Sequence, residues 1–516
     1  GDRMAASWLA PAVGLGVMLT ISHGLGVVGA FGWFGVGGAR IVAGLPIVCG
    51  LLLLAADLLR RQSGSGVSLS PAVLAFVPAV AVLVVASASP PGWLWASEGF
   101  GYDTRSYHMQ LPAEWLAMGQ AWPVEHNVYS FLPGYVEAAF YHLVALVGEH
   151  PAAGAGVGLL AGQCLSALMA VLAALFIGRV CWLVTPEDRR QAASGLAIGL
   201  GALVLGTPWV LVVGSLAYNE PAVLVLGAGA MLAALPSEMR QAVRWMIAAF
   251  LVGSACCAKP TALFMVGPVV GAMLVATTPL RLLAKPAILG CGVGVLTLLP
   301  WLVRNELAAG NPVFPQLAGV FGRGHWTPEQ HARWASGHAY TGSVLDRVRL
   351  LFLPDPNGPF LGGTSMRGLL HPQWGVAGPL CVVAAIAGPL LRRHVVVVAL
   401  SIGFVVQLVA WLALTHLQSR FLVPMLLTGV PLVAVVLARF GARGSRWCSP
   451  WPRACGACGC MPVSAMGGPG WRSRRAWGCS PARSIRRPRP KGQPTRPSWR
   501  RVADCCWWAT VRRCTT

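Results

Sequence analysis

Charged residues are scarce in this 516-residue chain and make up 11% of it, whereas roughly a quarter is typical of soluble proteins. This shortage excludes a soluble globular, disordered or fibrous protein. The sequence also has no phosphate-binding GxxxxGK[ST] loop and no GxSxG nucleophile elbow, so soluble nucleotide chemistry is unsupported. Apolar sequence is abundant: 55% of the residues are hydrophobic, and long apolar runs recur from residue 8 to residue 440. These features predict one polytopic membrane bundle.

Twelve apolar segments are long enough, or nearly so, to cross about 30 Å of hydrocarbon. Basic pairs fall in alternate loops between them, and because Lys and Arg in short loops stay cytoplasmic, both termini are predicted inside. The predicted fold class is an all-α bundle of about twelve transmembrane spans, with two long extracytoplasmic loops, 90–156 and 304–374, that carry short surface helices. Residues 135–147 are apolar but short and are expected at the interface. The predicted spans are 8–31, 41–59, 70–89, 157–184, 192–214, 219–235, 244–258, 260–279, 286–303, 375–391, 394–415 and 421–440.

Residues 441–516 form a tail that differs from the bundle of residues 1–440. The tail holds 16 of the 39 basic residues and 8 of the 15 cysteines, so the net charge of +22 is no nucleic-acid signal. It shows no helical or alternating period, and no folded domain is predicted. Three interpretations stay open: a zinc site at Cys455 and Cys458 without a second ligand pair, a segment that binds anionic lipid headgroups, and a frameshifted end of the gene. We favour the frameshift as a hypothesis.

The first outer loop places Asp103 after the third span, with Tyr107 and His108 one helical turn later. If residues 104–118 form an amphipathic surface helix, all three side chains can face one spot. A partly desolvated carboxylate at this position can take a proton from a hydroxyl nucleophile, which predicts a general base. The alternative is that Asp103 caps the helix, since Asp is a preferred N-cap residue.

The other outer turns carry one acid and three cations. Glu220 lies just inside a span, where an acid is costly and usually functional. Lys259, Arg304 with Asn305, and Arg420 lie at span ends on the same predicted face. Ammonium and guanidinium groups bind phosphate well, so an anionic lipid headgroup is expected there. The alternative is interfacial snorkelling, the usual fate of charged side chains at helix ends.

The second outer loop contains three histidines that suggest a metal site. His325, His331 and His338 are spaced by six and seven residues, which matches no common two-histidine ligand motif. No metal site and no cofactor are predicted. A divalent cation is not supported by the sequence, and we expect none to be essential.

Six stretches together resemble the GT-C class of polytopic membrane glycosyltransferases, of the protein-mannosyltransferase and aminoarabinose-transferase type (glycosyltransferase family 39). These stretches are YDTRSYHMQLPAEWLAMGQ (102–120), NVYSFLPGYVEAAF (127–140), TPWVLVVGSLAYNEPAVL (207–224), the Lys259 turn, PWLVRNELAAGNPVFP (300–315) and QSRFLVPMLL (418–427).

The resemblance implies a transferase that moves a sugar from a polyprenyl-phosphate donor to a lipid, glycan or protein acceptor. The reaction would take place on the extracytoplasmic face of a bacterial inner membrane. The resemblance implies Asp103 as the catalytic base and Glu220 as a second acid that supports donor or acceptor. Lys259, Arg304 and Arg420 would hold the lipid phosphate. The substrate-binding residues expected in this scheme are Tyr107, His108, Lys259, Arg304, Asn305 and Arg420.

The chain differs from that class at three positions. Many relatives have a second acid where this chain has Thr104, a tyrosine at Pro260 and an aspartate at Glu220. Two other functions stay open: a membrane transporter or lipid flippase, and a non-enzymatic scaffold. Transporters tend to carry ionisable residues near the bilayer midplane and internal repeats. Here the acids and cations cluster at one predicted surface and no repeat is visible, which favours the transferase.

Overall fold

The computed structural model describes residues 2–33, 35–60, 70–95, 98–147, 156–191, 193–340, 342–354 and 367–447. Within these ranges the chain is helical and has no β-strand beyond an isolated bridge, which confirms the predicted all-α fold. The helices of the first half are α1 (Asp2–Val27), α2 (Gly35–Arg60), α3 (Val77–Ser87), α4 (Gln110–Met118), α5 (Tyr135–Val147), α6 (Gly156–Val184), α7 (Ser194–Gly206), α8 (Pro208–Ser215) and α9 (Glu220–Ala234). Those of the second half are α10 (Gln241–Ala258), α11 (Ala262–Met265), α12 (Gly267–Ala276), α13 (Ala284–Ala309), α14 (Ala318–Phe321), α15 (Pro328–Gly337), α16 (Val344–Arg349), α17 (Ala377–Leu391), α18 (Val395–Leu414) and α19 (Leu426–Trp447).

Seven helices in the described ranges are long and apolar enough to cross a membrane, and the bent pair α7 and α8 brings the number to eight. The remaining predicted spans coincide with shorter apolar helices: Pro71–Ser87, Glu220–Ala234, Ala262–Ala276 and Ala377–Leu391. The twelve predicted segments are therefore helical, while length and composition support seven or eight of them as full spans. The seven are Trp8–Val27, Gly35–Ala56, Gly158–Val184, Gln241–Ala258, Ala284–Ala309, Val395–Leu414 and Ser419–Phe440.

Proline explains why one predicted span is broken. Residues 192–214 form α7 and α8, which meet at an angle of 60°. Pro208 opens α8 directly after Thr207, which has extended backbone angles. Proline has no amide proton and disfavours helical geometry in the residue before it, so the helix stops and restarts in a new direction.

Burial divides the helices into a central and a peripheral set. Every residue of α9 is buried, and the helix packs against α1, α6, α10 and α12. The outer helices expose large apolar side chains, such as Leu53 on α2, Ile288 on α13 and Ile402 on α18. So many exposed apolar side chains require an apolar solvent. With the long apolar helices, this exposure makes the chain an integral membrane protein.

Two short elements and one boundary differ from the sequence predictions. Helix α5 is not an interfacial surface helix, because it is buried among α1, α2, α4 and α6. Residues 104–118 are not one surface helix: a π-helical turn over Thr104–His108 precedes α4, and both elements bury side chains. The bundle continues past residue 440, since α19 ends at Trp447. The part of the tail after Trp447, including Cys455 and Cys458, lies outside the described residues.

Candidate functional site

Arg420 binds two acids from the first outer loop. It lies in the 3-10 segment Ser419–Met425, which leads into α19, and its side chain is only 4% exposed. One arm of its guanidinium forms an ion pair with the Asp103 carboxylate. The other arm, Nη1, lies 3.1 Å from Glu98 Oε2. Residues far apart in sequence are thus joined by a forked, charge-assisted contact of the kind that gives arginine its geometric specificity.

A second ion pair lies beside the first. Lys259 Nζ is 2.6 Å from Glu220 Oε1, and the Glu220 side chain is 2% exposed. Phe421 connects the two pairs, because the Lys259 ammonium lies 4.3 Å and the Arg420 guanidinium 5.2 Å from the centre of its ring. Both cations therefore lie within cation–π distance of the same aromatic ring. We name this group of residues the ion-pair cluster: Glu98, Asp103, Glu220, Lys259 and Arg420.

Hydrogen bonds from side chains to backbone carbonyls join the helix ends that carry the cluster. Thr104 Oγ1 donates a hydrogen bond to the carbonyl of Leu216, which joins the first outer loop to the turn before α9. Asn219 Nδ2 donates to the carbonyl of Ala258 at 2.9 Å and joins the same turn to the end of α10. Thr104 is thus a structural link in this chain, where many members of the resembled class have a second acid.

Asp103 does not cap the helix that follows it. Asp103 precedes the π-helical turn, but its backbone is already helical and its side chain forms no capping hydrogen bond. The carboxylate is directed to Arg420 instead. The structure therefore places Asp103 in a charged cluster with Arg420.

The two acids on Arg420 have opposite pKa shifts. Burial raises the pKa of Asp103, but the Arg420 charge and hydrogen bond outweigh burial and bring that pKa to about 2. For Glu98, burial is again the largest cause and here it prevails, so that the pKa of Glu98 is raised in spite of Arg420. Asp103 is therefore the acid of this pair that stays ionised over the wider pH range.

The low pKa of Asp103 predicts how stability depends on pH. Its ion pair should stabilise the fold by roughly 2 kcal/mol above about pH 4, where the unfolded side chain is also ionised. This contribution should disappear as the pH falls through about 2, because protonation of the folded state removes the pair. We expect the difference in unfolding free energy between the wild type and Asp103→Asn to shrink as the pH falls from about 4 to about 2. Unfolding in mixed micelles at each pH measures it, and a difference that stays constant to pH 2 contradicts the assignment.

Tyr107 and His108 pack beside the cluster. The Tyr107 ring stacks on Tyr129 with ring centres 4.4 Å apart. His108 lies 5.2 Å from the Tyr218 ring, and its Nδ1 is 2.6 Å from Oε1 of the buried Glu137. The structure thus brings both predicted residues to the site, with His108 oriented by an acid that the sequence analysis did not select.

Arg304 and Asn305 form a separate group among the described residues. Arg304 is buried, and its Nη2 donates to the carbonyls of Ser130 and Leu132 at 3.1 and 2.6 Å. Asn305 Nδ2 donates to the carbonyl of Phe131 at 2.7 Å. These contacts fix the turn before α5. The hydrogen-bond partners of Arg304 and Asn305 therefore differ from those of Lys259 and Arg420, which pair with the acids of the ion-pair cluster.

An aromatic row borders the cluster. His416 packs 5.0 Å from the Phe421 ring, and His338 packs 5.7 Å from His416. Tyr129 Oη lies 3.5 Å from His338 Nε2, so the row returns to the first outer loop. Burial and the neighbouring His338 lower the pKa of His416 to about 4. His416 is therefore neutral at physiological pH, and its ring can donate one hydrogen bond and accept another.

Sequence reasoning missed Glu98, Tyr218 and Glu137. Tyr218 lies under Arg420, 4.7 Å from ring centre to guanidinium carbon, and donates its hydroxyl hydrogen to Glu98 Oε2 at 3.2 Å. Glu137 had a visible signal, because it is an acid within an apolar helix, where acids are costly. Glu98 had no such signal, because acids are common in loops and its partner Arg420 is known only from the structure.

Neither a protein-family profile nor any curated protein matches the sequence. Among solved structures, the chain is similar to the crystal structure of ArnT from Cupriavidus metallidurans in the apo state. The sequence identity is 16% and the TM-score 0.43, and the similarity covers 73% of this chain and 61% of that chain. The function of this chain therefore has to be inferred from its own ion-pair cluster.

Proposed function

We propose that this chain is a membrane glycosyltransferase that moves a sugar from a polyprenyl-phosphate donor to a hydroxyl-bearing extracytoplasmic acceptor. The observation that carries the proposal is the ion-pair cluster. Helix ends from distant parts of the chain place two cations and three acids around Phe421. Keeping so many charges at the end of an apolar bundle is costly, and such residues usually have a function.

The reaction needs the two kinds of charge that the cluster contains. An acceptor oxygen forms a bond to the anomeric carbon, and the bond from that carbon to the phosphate oxygen breaks. The acceptor proton passes to the Asp103 carboxylate, and the lipid phosphate leaves with the bonding electron pair as an anion. Arg420 and Lys259 stabilise the charge that develops on the leaving phosphate. Asp103 is the proposed base, and Glu220 supports donor or acceptor through its pair with Lys259.

The contact between Asp103 and Arg420 suggests how the donor prepares the base. Arg420 keeps the pKa of Asp103 at about 2, which makes the carboxylate a weak base. A donor phosphate competes for the same guanidinium. When Arg420 turns to the phosphate, burial becomes the dominant influence and raises the pKa of Asp103. The base then gains strength only after the leaving group is bound.

Two buried oxygens of the site remain available for a sugar. Asn219 Oδ1 and Glu220 Oε2 have no hydrogen-bond partner among the described residues. Both are acceptors, and unpaired buried acceptors are costly. Hydroxyl groups of a sugar or of an acceptor would satisfy them, while the row formed by Tyr129, His338 and His416 supplies aromatic surface next to Phe421.

The test is donor consumption in a defined bilayer. The purified chain in bilayers is incubated with a panel of prenyl-phosphate-linked sugars, and free lipid phosphate is measured together with the movement of lipid across the bilayer. We expect release of lipid phosphate with at least one donor. The transporter or flippase alternative, which the broken helix pair α7 and α8 favours, predicts movement across the bilayer without donor consumption, and that result would overturn the proposal.

A further inference from the structure

A second group of charged residues lies at the other end of the bundle. Helix α18 connects the two ends, since Arg392 lies just before its first residue and Arg420 shortly after its last. Its 20 residues span about 30 Å, which is roughly the thickness of the hydrocarbon layer. The second group therefore lies near the membrane surface opposite the ion-pair cluster.

This second group lines a cavity of about 250 Å³, which we name the arginine cleft. Its charged members are Arg189, Arg392, Arg439 and Asp188, so that three cations face one acid. They come from three separate segments: the turn after α6, the end of α17 and the last part of α19. An excess of positive charge around one space favours an anion.

Two of these arginines are held in position by backbone carbonyls. Arg189 Nη1 donates to the carbonyl of Ala438 at 2.8 Å. Arg392 Nη1 donates to the carbonyl of Val184, the last residue of α6. A guanidinium has five N–H groups, so each keeps donors for a ligand. Because these two side chains are already ordered, the binding of a phosphate costs little additional entropy.

An apolar groove of about 340 Å³ begins next to the arginine cleft. It is lined on α17 by Ala385 and Pro389, and on α18 by Val398 and Ile402. Pro389 precedes Arg392 by three residues, which is about one helical turn. A cationic cleft with an apolar groove about one helical turn away on the same helix is complementary to an amphiphile with an anionic head and an acyl chain.

A tryptophan marks the depth of this end of the bundle in the membrane. Trp182 lies near the end of α6, and its ring packs against the guanidinium groups of Arg179 and Arg190 at 4.2 and 5.3 Å. Tryptophan is enriched at the level of lipid headgroups. The arginine cleft, which begins at the turn after the same helix, is therefore at headgroup depth.

We propose that the arginine cleft binds the phosphate of an anionic membrane lipid, with one acyl chain of that lipid in the groove between α17 and α18. The predicted topology places this end of the bundle on the cytoplasmic side, where anionic lipids are concentrated. The site is independent of the proposed transferase activity. Inorganic phosphate has the same anionic chemistry without a chain and separates the two sources of ligand.

Native mass spectrometry of the full-length chain in detergent tests this site. Phosphatidylglycerol, zwitterionic phosphatidylcholine and inorganic phosphate are titrated separately. Arg439→Gln removes a cleft cation whose side chain is exposed, and Arg393→Gln, an exposed neighbour outside the cleft, is the matched control. We expect phosphatidylglycerol to bind about tenfold more weakly to Arg439→Gln than to Arg393→Gln. Arg392→Gln should show the same loss.

The groove has its own variant. Val398→Trp fills the groove from a half-exposed position on α18 and should weaken phosphatidylglycerol several-fold while inorganic phosphate binding is unchanged. Equal phosphatidylglycerol affinity in Arg439→Gln and Arg393→Gln would show that the charge acts diffusely and would overturn the proposal. Full displacement of the lipid by inorganic phosphate, with no effect of Val398→Trp, would assign the cleft to free phosphate and would also overturn it.

Discussion

Asp103→Asn is expected to reduce sugar transfer by about 100-fold or more, because the amide keeps the shape of the side chain and cannot accept the acceptor's proton. The loss should appear in kcat and in kcat/KM alike, since the proton is transferred only in the transition state. Release of lipid phosphate from the best donor of the panel is the measurement. Asp103→Glu keeps a carboxylate near Arg420 and should retain more activity than Asp103→Asn.

The control for this variant is Asp346→Asn. Asp346 is an acid of the second outer loop that caps α16 and contacts Ser343 and Arg349. Removal of its charge should leave transfer unchanged. A non-enzymatic scaffold would keep its function in Asp103→Asn. If Asp103→Asn retained the wild-type rate of lipid phosphate release, Asp103 could not be the base. An increase in KM with kcat preserved would instead make Asp103 a binding residue.

Lys259→Met should destabilise the fold by roughly 3–5 kcal/mol, because it leaves the carboxylate of Glu220 buried without its cation. Glu220 begins the fully buried helix α9, and its side chain is 2% exposed. Unfolding of the chain in mixed micelles measures the change. Lys285→Met, at an exposed position near the start of α13, is the matched control and should have little effect.

The double variant Lys259→Met with Glu220→Gln separates the ion pair from the individual charges. With neither charge left in the bundle, most of the lost stability should return, although transfer activity should not. If the double variant were as unstable as Lys259→Met alone, the loss would come from packing around the lysine stem, including its contact with Phe421. The stability effect and the catalytic effect of Lys259 are thereby measured in one cycle.

The sequence located the charged residues at helix ends, but it did not show which of them would contact each other. Asp103, Glu220, Lys259 and Arg420 stand at the ends of apolar segments, where a charge is conspicuous, and the structure places all four in one cluster. Arg304 has the same sequence character and packs elsewhere, against the carbonyls of Ser130 and Leu132. Nothing in the local pattern distinguishes these two outcomes.

For the helices too, the sequence predicted some features and the packing alone decided others. Long apolar runs determined the all-α membrane bundle, because every backbone group in hydrocarbon must find its hydrogen-bond partner within a helix. The same runs did not show that α5 is buried: its apolar character suits an interface and a core equally well, and only its neighbours α1, α2 and α6 decide. The bend between α7 and α8 follows from Pro208, yet its angle of 60° does not.

Composition and the positions of charges by themselves determined a helical membrane protein with charged groups at its helix ends. The tertiary structure alone decided that Arg420 joins Glu98 to Asp103, that Lys259 faces Glu220, and that three arginines line one cleft. The physical reason is that hydrophobicity and helix propensity act within a segment, whereas an ion pair depends on the relative position of two segments. That position is set by the packing of many side chains, which no single stretch of sequence contains.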